Sequence, residues 1–327
     1  MLEANADALE AIRGKRVAVI GYGNQGHAHA LNLRDSGIDV CVGARPGRGF
    51  DAAAAAGFHP LGIEAAAECA DVVMLCTPDV PMRHLYRDQV APYLRPGDTL
   101  LFAHGFNIRY GLIEAAEGVD VALVSPKGPG AWLRREFESG KGLAALVAVH
   151  TDATGTAWNT ALGYAWGIGS ARVLMLETTF AEETESDLFG EQAVLCGGIP
   201  GLIKAAYETL VAEGFQPEVA YFECLHEAKL ITDLLYERGL AGMRAAISDT
   251  AEWGGFAAEE RIVGRETRAG MRDLLREIRS GGFAREWIAE DAAGRMELQR
   301  YRDEEAAHPI DAVGKELRQK MRLGQAR

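Results

Sequence analysis

Short apolar runs and longer mixed stretches alternate along the first half of the chain. RVAVIG (16–21), DVCVGA (39–44), DVVMLCTP (71–78), DTLLFAHG (98–105) and DVALVSPKG (120–128) each end in a turn signal. Their apolar residues are continuous rather than alternating, which predicts strands covered on both faces. The Ala- and Leu-rich stretches between them predict helices, and repeated β-α units give a doubly wound parallel sheet. LAALVAVH (143–150) and ARVLMLE (171–177) extend that sheet, with a helix across ATGTAWNTALGYAWGIG between them. After Thr179 the β runs stop. LIKAAYETLVAEG, EVAYFECLHEAKLITDLLYERG, LAGMRAAISDTAEWGG and TRAGMRDLLREIRSGGFAREWIAE all carry helical spacing. The fold class is therefore α/β, with a first domain over 1–179 and an all-α second domain over 180–327. The charged tail (303–327) reads as a surface helix or a partly mobile segment.

The turn after the first strand carries the clearest chemistry. In VAVIGYGNQGHAHALNL, Gly21, Gly23 and Gly26 form G-x-G-x-x-G between a strand and an Ala/Leu-rich helix. The first glycine makes the turn, the second admits a pyrophosphate and the third lets helix and strand pack closely. The helix N-terminus then offers N–H donors to the anion. This predicts a Rossmann-type dinucleotide-binding domain. An NAD site usually carries an acid at the end of the second strand. Here the sequence reads VGARPGRGF, with Arg45 and Arg48 and no acid. Two guanidiniums suit a 2′-phosphate, so NADPH is the expected cofactor, although either arginine can also be a solvated loop charge.

Composition narrows the partners. The 327 residues carry 34 basic and 47 acidic side chains, a net charge of −13. This argues against a nucleic-acid surface, which needs clustered positive charge. The N-terminus lacks the pattern of a signal peptide, and no run of 18 or more apolar residues appears, so no membrane association is expected. Five widely spaced cysteines without a C-x-x-C suggest free thiols in a reducing cytoplasm.

Ligands of a doubly wound sheet lie outside the carboxyl ends of its strands. The turns TPDVPM (77–82), AHGFNI (103–108) and SPKGPG (125–130) should face the cofactor. Asp79, Val80, Pro81 and Met82 start a helix there. His104 and Lys127 sit in glycine-bearing turns, a proton donor and a cation suited to carbonyl reduction. Two carboxylate pairs follow, Asp187 with Glu191 and Glu223 with Glu227, each four apart among apolar neighbours. Residues at that spacing share a helix face, where like charges repel. A divalent cation relieves the repulsion, and an all-oxygen set points to Mg²⁺, as two ions sharing a carboxylate. The alternative is that these acids lie on solvated faces beside Lys and Arg; spacing alone leaves both open.

GYGNQGHAHALNLRDSG, FAHGFNI, SPKGPG, ETTFAEETESDLFGEQAVLCGG, FECLHEAKLITDL and ISDTAEWG together resemble ketol-acid reductoisomerase of the short, class I type, in order from about residue 13 to the end. The resemblance implies an NADPH- and Mg²⁺-dependent enzyme of branched-chain amino-acid biosynthesis. Such an enzyme converts 2-acetolactate or 2-aceto-2-hydroxybutyrate to the 2,3-dihydroxy acid by alkyl migration and then reduction. It implies His104 as an active-site residue, and Asp187, Glu191, Glu223 and Glu227 as ligands of two Mg²⁺ ions. Ser248 becomes a substrate contact. Gly130 and the 79–82 turn become cofactor contacts beside Tyr22, Gly23, Asn24 and Gln25. Lys127 and the glutamates, Glu191 among them, are candidates to relay protons, with the proton-abstracting base unassigned. The resemblance also implies a knotted helical domain and a homodimer at least, with each active site shared between subunits.

Three positions depart from the family pattern. The loop after the second strand, commonly GLRPGSxSW, is GARPGRGF; the residue after PKGPG is Ala131 rather than His; and Asn24 replaces the usual serine of the glycine turn. Arg48 is placed to compensate for the missing serines. Two other readings of the same plan are a metal-independent hydroxyacid or imine reductase and a dinucleotide-binding sensor without turnover. The intact acidic motifs speak against both.

Overall fold

The computed structural model describes residue 2 and residues 6–321. The chain divides into two compact units, Met1–Ser186 and Asp187–Arg327. The division falls inside a helix, a few residues beyond the end of the strand-forming region. The first turns of that helix carry Phe180, Glu183 and Thr184, all buried in the first unit.

The first unit holds a seven-stranded sheet in the order β2-β1-β3-β4-β5-β6-β7. Its strands are β1 (Arg16–Ile20), β2 (Asp39–Gly43), β3 (Val72–Leu75), β4 (Thr99–Phe102), β5 (Asp120–Pro126), β6 (Ala145–Thr151) and β7 (Met175–Glu177). The helices, in chain order, are α1 (Ala6–Arg13), α2 (Asn24–Asp35), α3 (Arg48–Ala55), α4 (Ile63–Glu68), α5 (Asp79–Leu85), α6 (Phe106–Arg109), α7 (Gly130–Glu138) and α8 (Ala157–Gly167). Strands β3, β4 and β5 are buried at every position. Alternation along β1 explains this burial, since successive side chains of a strand point to opposite faces. Val17 and Val19 enter the core under α2 and α8, with Leu33 and Tyr164. Ala18 and Ile20 enter the opposite core, with Ile63, Val90 and Phe180.

Two strands, β6 and β7, run against expectation, β7 because it follows β6 in parallel. β6 pairs with β5 antiparallel, Pro126 opposite Ala145, while the other pairings are parallel. The cause is the connection. α7 has nine residues and so extends only about 13 Å. The extended segment after it, about 3.3 Å per residue, retraces that length and returns the chain to the end of the sheet it left.

Among its described residues, the second unit contains helices only. They are α9 (Phe180–Gly190), entered from the first unit, then α10 (Gly198–Ala212), α11 (Pro217–Tyr221), α12 (Glu227–Arg244), α13 (Asp249–Ile262), α14 (Arg265–Arg279), α15 (Gly282–Ala292), α16 (Met296–Ala307) and α17 (Pro309–Lys320). The tail is therefore helical to Lys320, with Ile310 and Leu317 packed on Tyr207 and Tyr221; residues 322–327 lie outside the described residues. This core is small, and large apolar side chains remain outside it. Tyr236 is 92% exposed, and Leu240 and Trp253 are each 76% exposed. A single copy thus leaves uncovered the kind of surface that associates with another molecule.

One helical run is apolar enough to raise the question of a membrane span. The helical run Phe180–Ala212 is long and apolar enough, by length and composition, to cross a membrane. Glu191, Lys204 and Glu208 interrupt it. Lys204 pairs with Glu305 and Glu208 with His308, each at 2.9 Å. Those pairs fit a helix of a folded bundle, because a span would leave the charges in hydrocarbon.

Candidate active site

The glycine turn forms one wall of a cleft of about 910 Å³. Gly21, Tyr22 and Gly23 line it, facing Thr77, Pro78 and Pro81 from the β3 turn and Arg45 and Arg48 from the β2 turn. Gly23 caps α2 with no side-chain hydrogen bond, which leaves the first amides of the helix to an anion. A Cβ on Gly26 would lie 1.9 Å from the Gly21 carbonyl oxygen, and one on Gly130 would lie 1.7 Å from that of Asn24. Only glycine allows α2 to pack against its strand, and α7 to start against α2. Gln25 donates to the Gly128 carbonyl at 3.0 Å, tying the two turns together. The buried hydroxyl of Thr77 has no protein partner on the cleft wall. A turn without a ligand would not need that open cradle, so the residues present fit a dinucleotide.

Of the helix that starts at Asp79, Pro81 lines the cleft while Val80 and Met82 are turned inward, 2% and 4% exposed. Any contact those two make with a cofactor is through the backbone. Arg45 and Arg48 are exposed, and Arg48 opens α3.

His104 and Lys127 meet at a residue that the sequence reading passed over. Glu183, on the first turn of α9, has a side chain with no solvent exposure. Lys127 Nζ donates to Oε1 at 2.9 Å and Ser125 Oγ to the same oxygen at 2.8 Å, while the Gly105 N–H donates to Oε2 at 2.9 Å. His104 Nδ1 stands 3.2 Å from the carboxylate. Burial works to raise the pKa of Glu183. The hydrogen bond and charge of His104 and the ammonium of Lys127 outweigh it and hold the carboxyl at about 2. An ionised carboxylate only accepts, so Nδ1 of His104 carries the hydrogen and Nε2 is the nitrogen whose protonation can change. A signal for Glu183 does exist in the sequence: Glu183, Asp187 and Glu191 stand four apart in succession. Beside them, Arg109 pairs with Glu185 at 2.8 Å.

Among the described residues, the acidic quartet is not gathered into one ligand cluster. Asp187 and Glu191 follow Glu183 along α9, with Glu191 opening a π turn, Glu191–Leu195. Glu223 lies in a second π turn, Phe222–His226, that runs into Glu227. A π turn has more residues per turn than an α turn, so residues four apart lie nearly above one another, and such turns recur at functional sites. Glu191, Glu223 and Glu227 are exposed and Asp187 is half-buried. Among the described residues, no three of the four lie within ligand distance of one another. Their oxygen donors suit Mg²⁺ by chemistry, but each pair alone supplies half a site. Ser248 caps α13, its Oγ accepting from the Ala251 N–H at 3.2 Å.

Two family models cover the chain. One, described as acetohydroxy acid isomeroreductase, NADPH-binding domain, matches residues 11–173; the other, ketol-acid reductoisomerase, C-terminal domain, matches residues 180–323. The protein belongs to the ketol-acid reductoisomerase family. It is 39% identical to an NADH-preferring ketol-acid reductoisomerase from an uncultured archean, over 98% of this chain and 99% of that one, with a TM-score of 0.94. Two more distant structures share the fold alone. One is a putative oxidoreductase from Jannaschia sp. CCS1, 16% identical over 81% of this chain and 97% of that one, with a TM-score of 0.61. The other is a pyrroline carboxylate reductase from Plasmodium falciparum, 14% identical over 83% and 99%, with a TM-score of 0.52. As a family member the chain is an oxidoreductase that binds a nicotinamide dinucleotide through its Rossmann-type domain.

Proposed function

We propose that this ketol-acid reductoisomerase uses NADPH and Mg²⁺ to rearrange and reduce 2-acetolactate or 2-aceto-2-hydroxybutyrate, in valine and isoleucine biosynthesis. The observation that carries this reading is the buried, ionised Glu183, which gathers His104, Ser125 and Lys127 beside the acids of α9. Asp187 and Glu191 together with Glu223 and Glu227 would hold Mg²⁺, which would supply Lewis acidity toward the substrate oxygens. The chain's own residues do the rest. Glu183 fixes the ammonium of Lys127 and the ring of His104 where an oxygen gains or loses a proton. The dinucleotide cleft opens at the same carboxyl ends of the strands, which directs the reducing end of the cofactor toward these turns.

The test follows NADPH oxidation with 2-acetolactate. Oxidation that requires Mg²⁺, stops with a chelator and is lost in Glu191→Gln is the expected outcome. Turnover indifferent to Mg²⁺ would leave a metal-independent reductase, and binding of NADPH without turnover would leave a sensor.

The family relative that prefers NADH supports a second reading of the cofactor. Arg45 and Arg48 decide between them, since a charge-assisted pair with a 2′-phosphate exists only for NADPH. Replacing both by alanine should raise KM for NADPH by about ten- to a hundredfold and leave KM for NADH within about twofold. Equal effects on the two cofactors would assign the arginines to the loop alone.

A further inference from the structure

Besides the glycine turn and the arginines, the cleft is lined by α5 and the π turn Tyr86–Val90 that follows, through Pro81, His84, Leu85, Asp88 and Gln89, which together form a recess wall. Ile63, at the start of α4, lies on the same lining. Pro81, Leu85 and Gln89 stand four apart and repeat along one face, and the wide π turn keeps Asp88 on that face as well. His104, Lys127 and Gly130 do not line this cleft, so it belongs to the adenosine half of a dinucleotide rather than the nicotinamide half. Pyrophosphate at Gly21–Gly23 and ribose at Arg45 leave the base to this recess.

Its chemistry is that of a flat heterocycle site. Ile63, Pro81 and Leu85 supply apolar surface, and three polar side chains, His84, Asp88 and Gln89, stand on the lining; His84 Nε2 already accepts from Arg83 Nε at 3.2 Å. Asp88 is already engaged: Arg87 Nε donates to Oδ1 at 2.6 Å and Nη2 to Oδ2 at 2.9 Å. Gln89 is half-buried, and among the described residues no side-chain hydrogen bond to protein accompanies its amide. A primary amide offers a donor and an acceptor side by side, which matches the N6 amine and the adjacent ring nitrogen of adenine.

We infer that Gln89 reads the base edge of the cofactor, so that this recess selects adenine by a paired hydrogen bond and not by apolar contact alone. The inference rests on the cleft holding a dinucleotide and deepens that assignment; it does not depend on the reaction performed. Two neutral hydrogen bonds of ordinary strength amount to about a tenfold difference in affinity.

The test uses the whole chain, NADPH and its 1,N6-etheno analogue, in which the amine and the adjacent ring nitrogen are both blocked. Dissociation constants come from cofactor fluorescence or calorimetry, with no ketol acid present. The parent should bind the etheno analogue about tenfold more weakly than NADPH. Gln89→Leu should bind NADPH about tenfold more weakly than the parent and the etheno analogue within about twofold of the parent. Gln89→Ala, with an unchanged melting temperature, checks that the loss is not one of folding. Equal binding of both cofactors by the parent, or an undiminished preference in Gln89→Leu, overturns the inference. Because the readout is binding, absence of turnover with 2-acetolactate would defeat the reductoisomerase proposal and leave this result standing.

Discussion

Glu183→Gln lowers kcat for NADPH-dependent turnover by about a hundred- to a thousandfold. It also weakens the fold near neutral pH. The substitution keeps the shape of the side chain and removes one acceptor oxygen and the charge. Lys127 and Ser125 both donate to Oε1, and the Gly105 N–H to Oε2. An amide cannot satisfy all of these donors, and its own N–H₂ must face one of them. Lys127 then loses, in a partly buried place, the carboxylate that accepts from it at 2.9 Å, which is costly, and His104 loses the charged acceptor that sets its tautomer. The acid profile separates this account from mere loss of packing. The folded pKa of Glu183 is about 2, below its ordinary 4.5. Its contribution to stability is fully present above pH 4.5 and is lost as pH falls through 4.5 toward 2. That contribution is about 3 kcal/mol. Urea unfolding at pH 7 and pH 3 should show the parent losing more stability between the two than the variant does. A variant with parental kcat, or with the parental difference between the two pH values, would remove Glu183 from the site.

Much of this arrangement can be read in the sequence, and the parts that cannot have physical reasons. Strands buried on both faces announce themselves because every position must be apolar, as in VVML of β3 and TLLF of β4. The glycine turn is legible because close approach leaves no room for a side chain at Gly26. The direction of β6 is not legible, since it depends on how far α7 and its return loop travel and not on the composition of either. Glu183 looks like one more acid in AEETESD; only the fold reveals that Ser125, Lys127 and Gly105 converge on it from a strand end and two turns. The π turns at Glu191 and Glu223 are equally hidden, because a one-residue widening leaves the helical period of the apolar residues almost unchanged. The acid pairs are visible as pairs, while their separation within one chain is a property of the helical unit as a whole.

That separation leads to the second large effect. If each metal site takes Asp187 and Glu191 from one copy and Glu223 and Glu227 from another, Glu191→Gln and Glu227→Gln are each inactive alone but complement one another. In a dimer containing one chain of each kind, one site combines both defects and the other combines two intact pairs. Random pairing of the two chains makes half of the dimers mixed, and each mixed dimer has one working site of two. Co-expression should therefore restore about one quarter of the parental activity. The exposed apolar side chains of the helical unit, Leu230, Tyr236, Leu240, Trp253 and Phe256 among them, give two copies the means to associate. Apolar surface of that extent on a unit with so small a core favours an obligate partner over a transient one. Co-expression rather than mixing is the right format, because chains that fold together do not exchange readily once assembled. Activity near zero in the co-expressed sample, with mixed dimers demonstrated by two affinity tags, would mean that each chain completes its own site. The two pairs would then have to close on one another within a single copy, by a movement of the helices that carry Asp187 and Glu223.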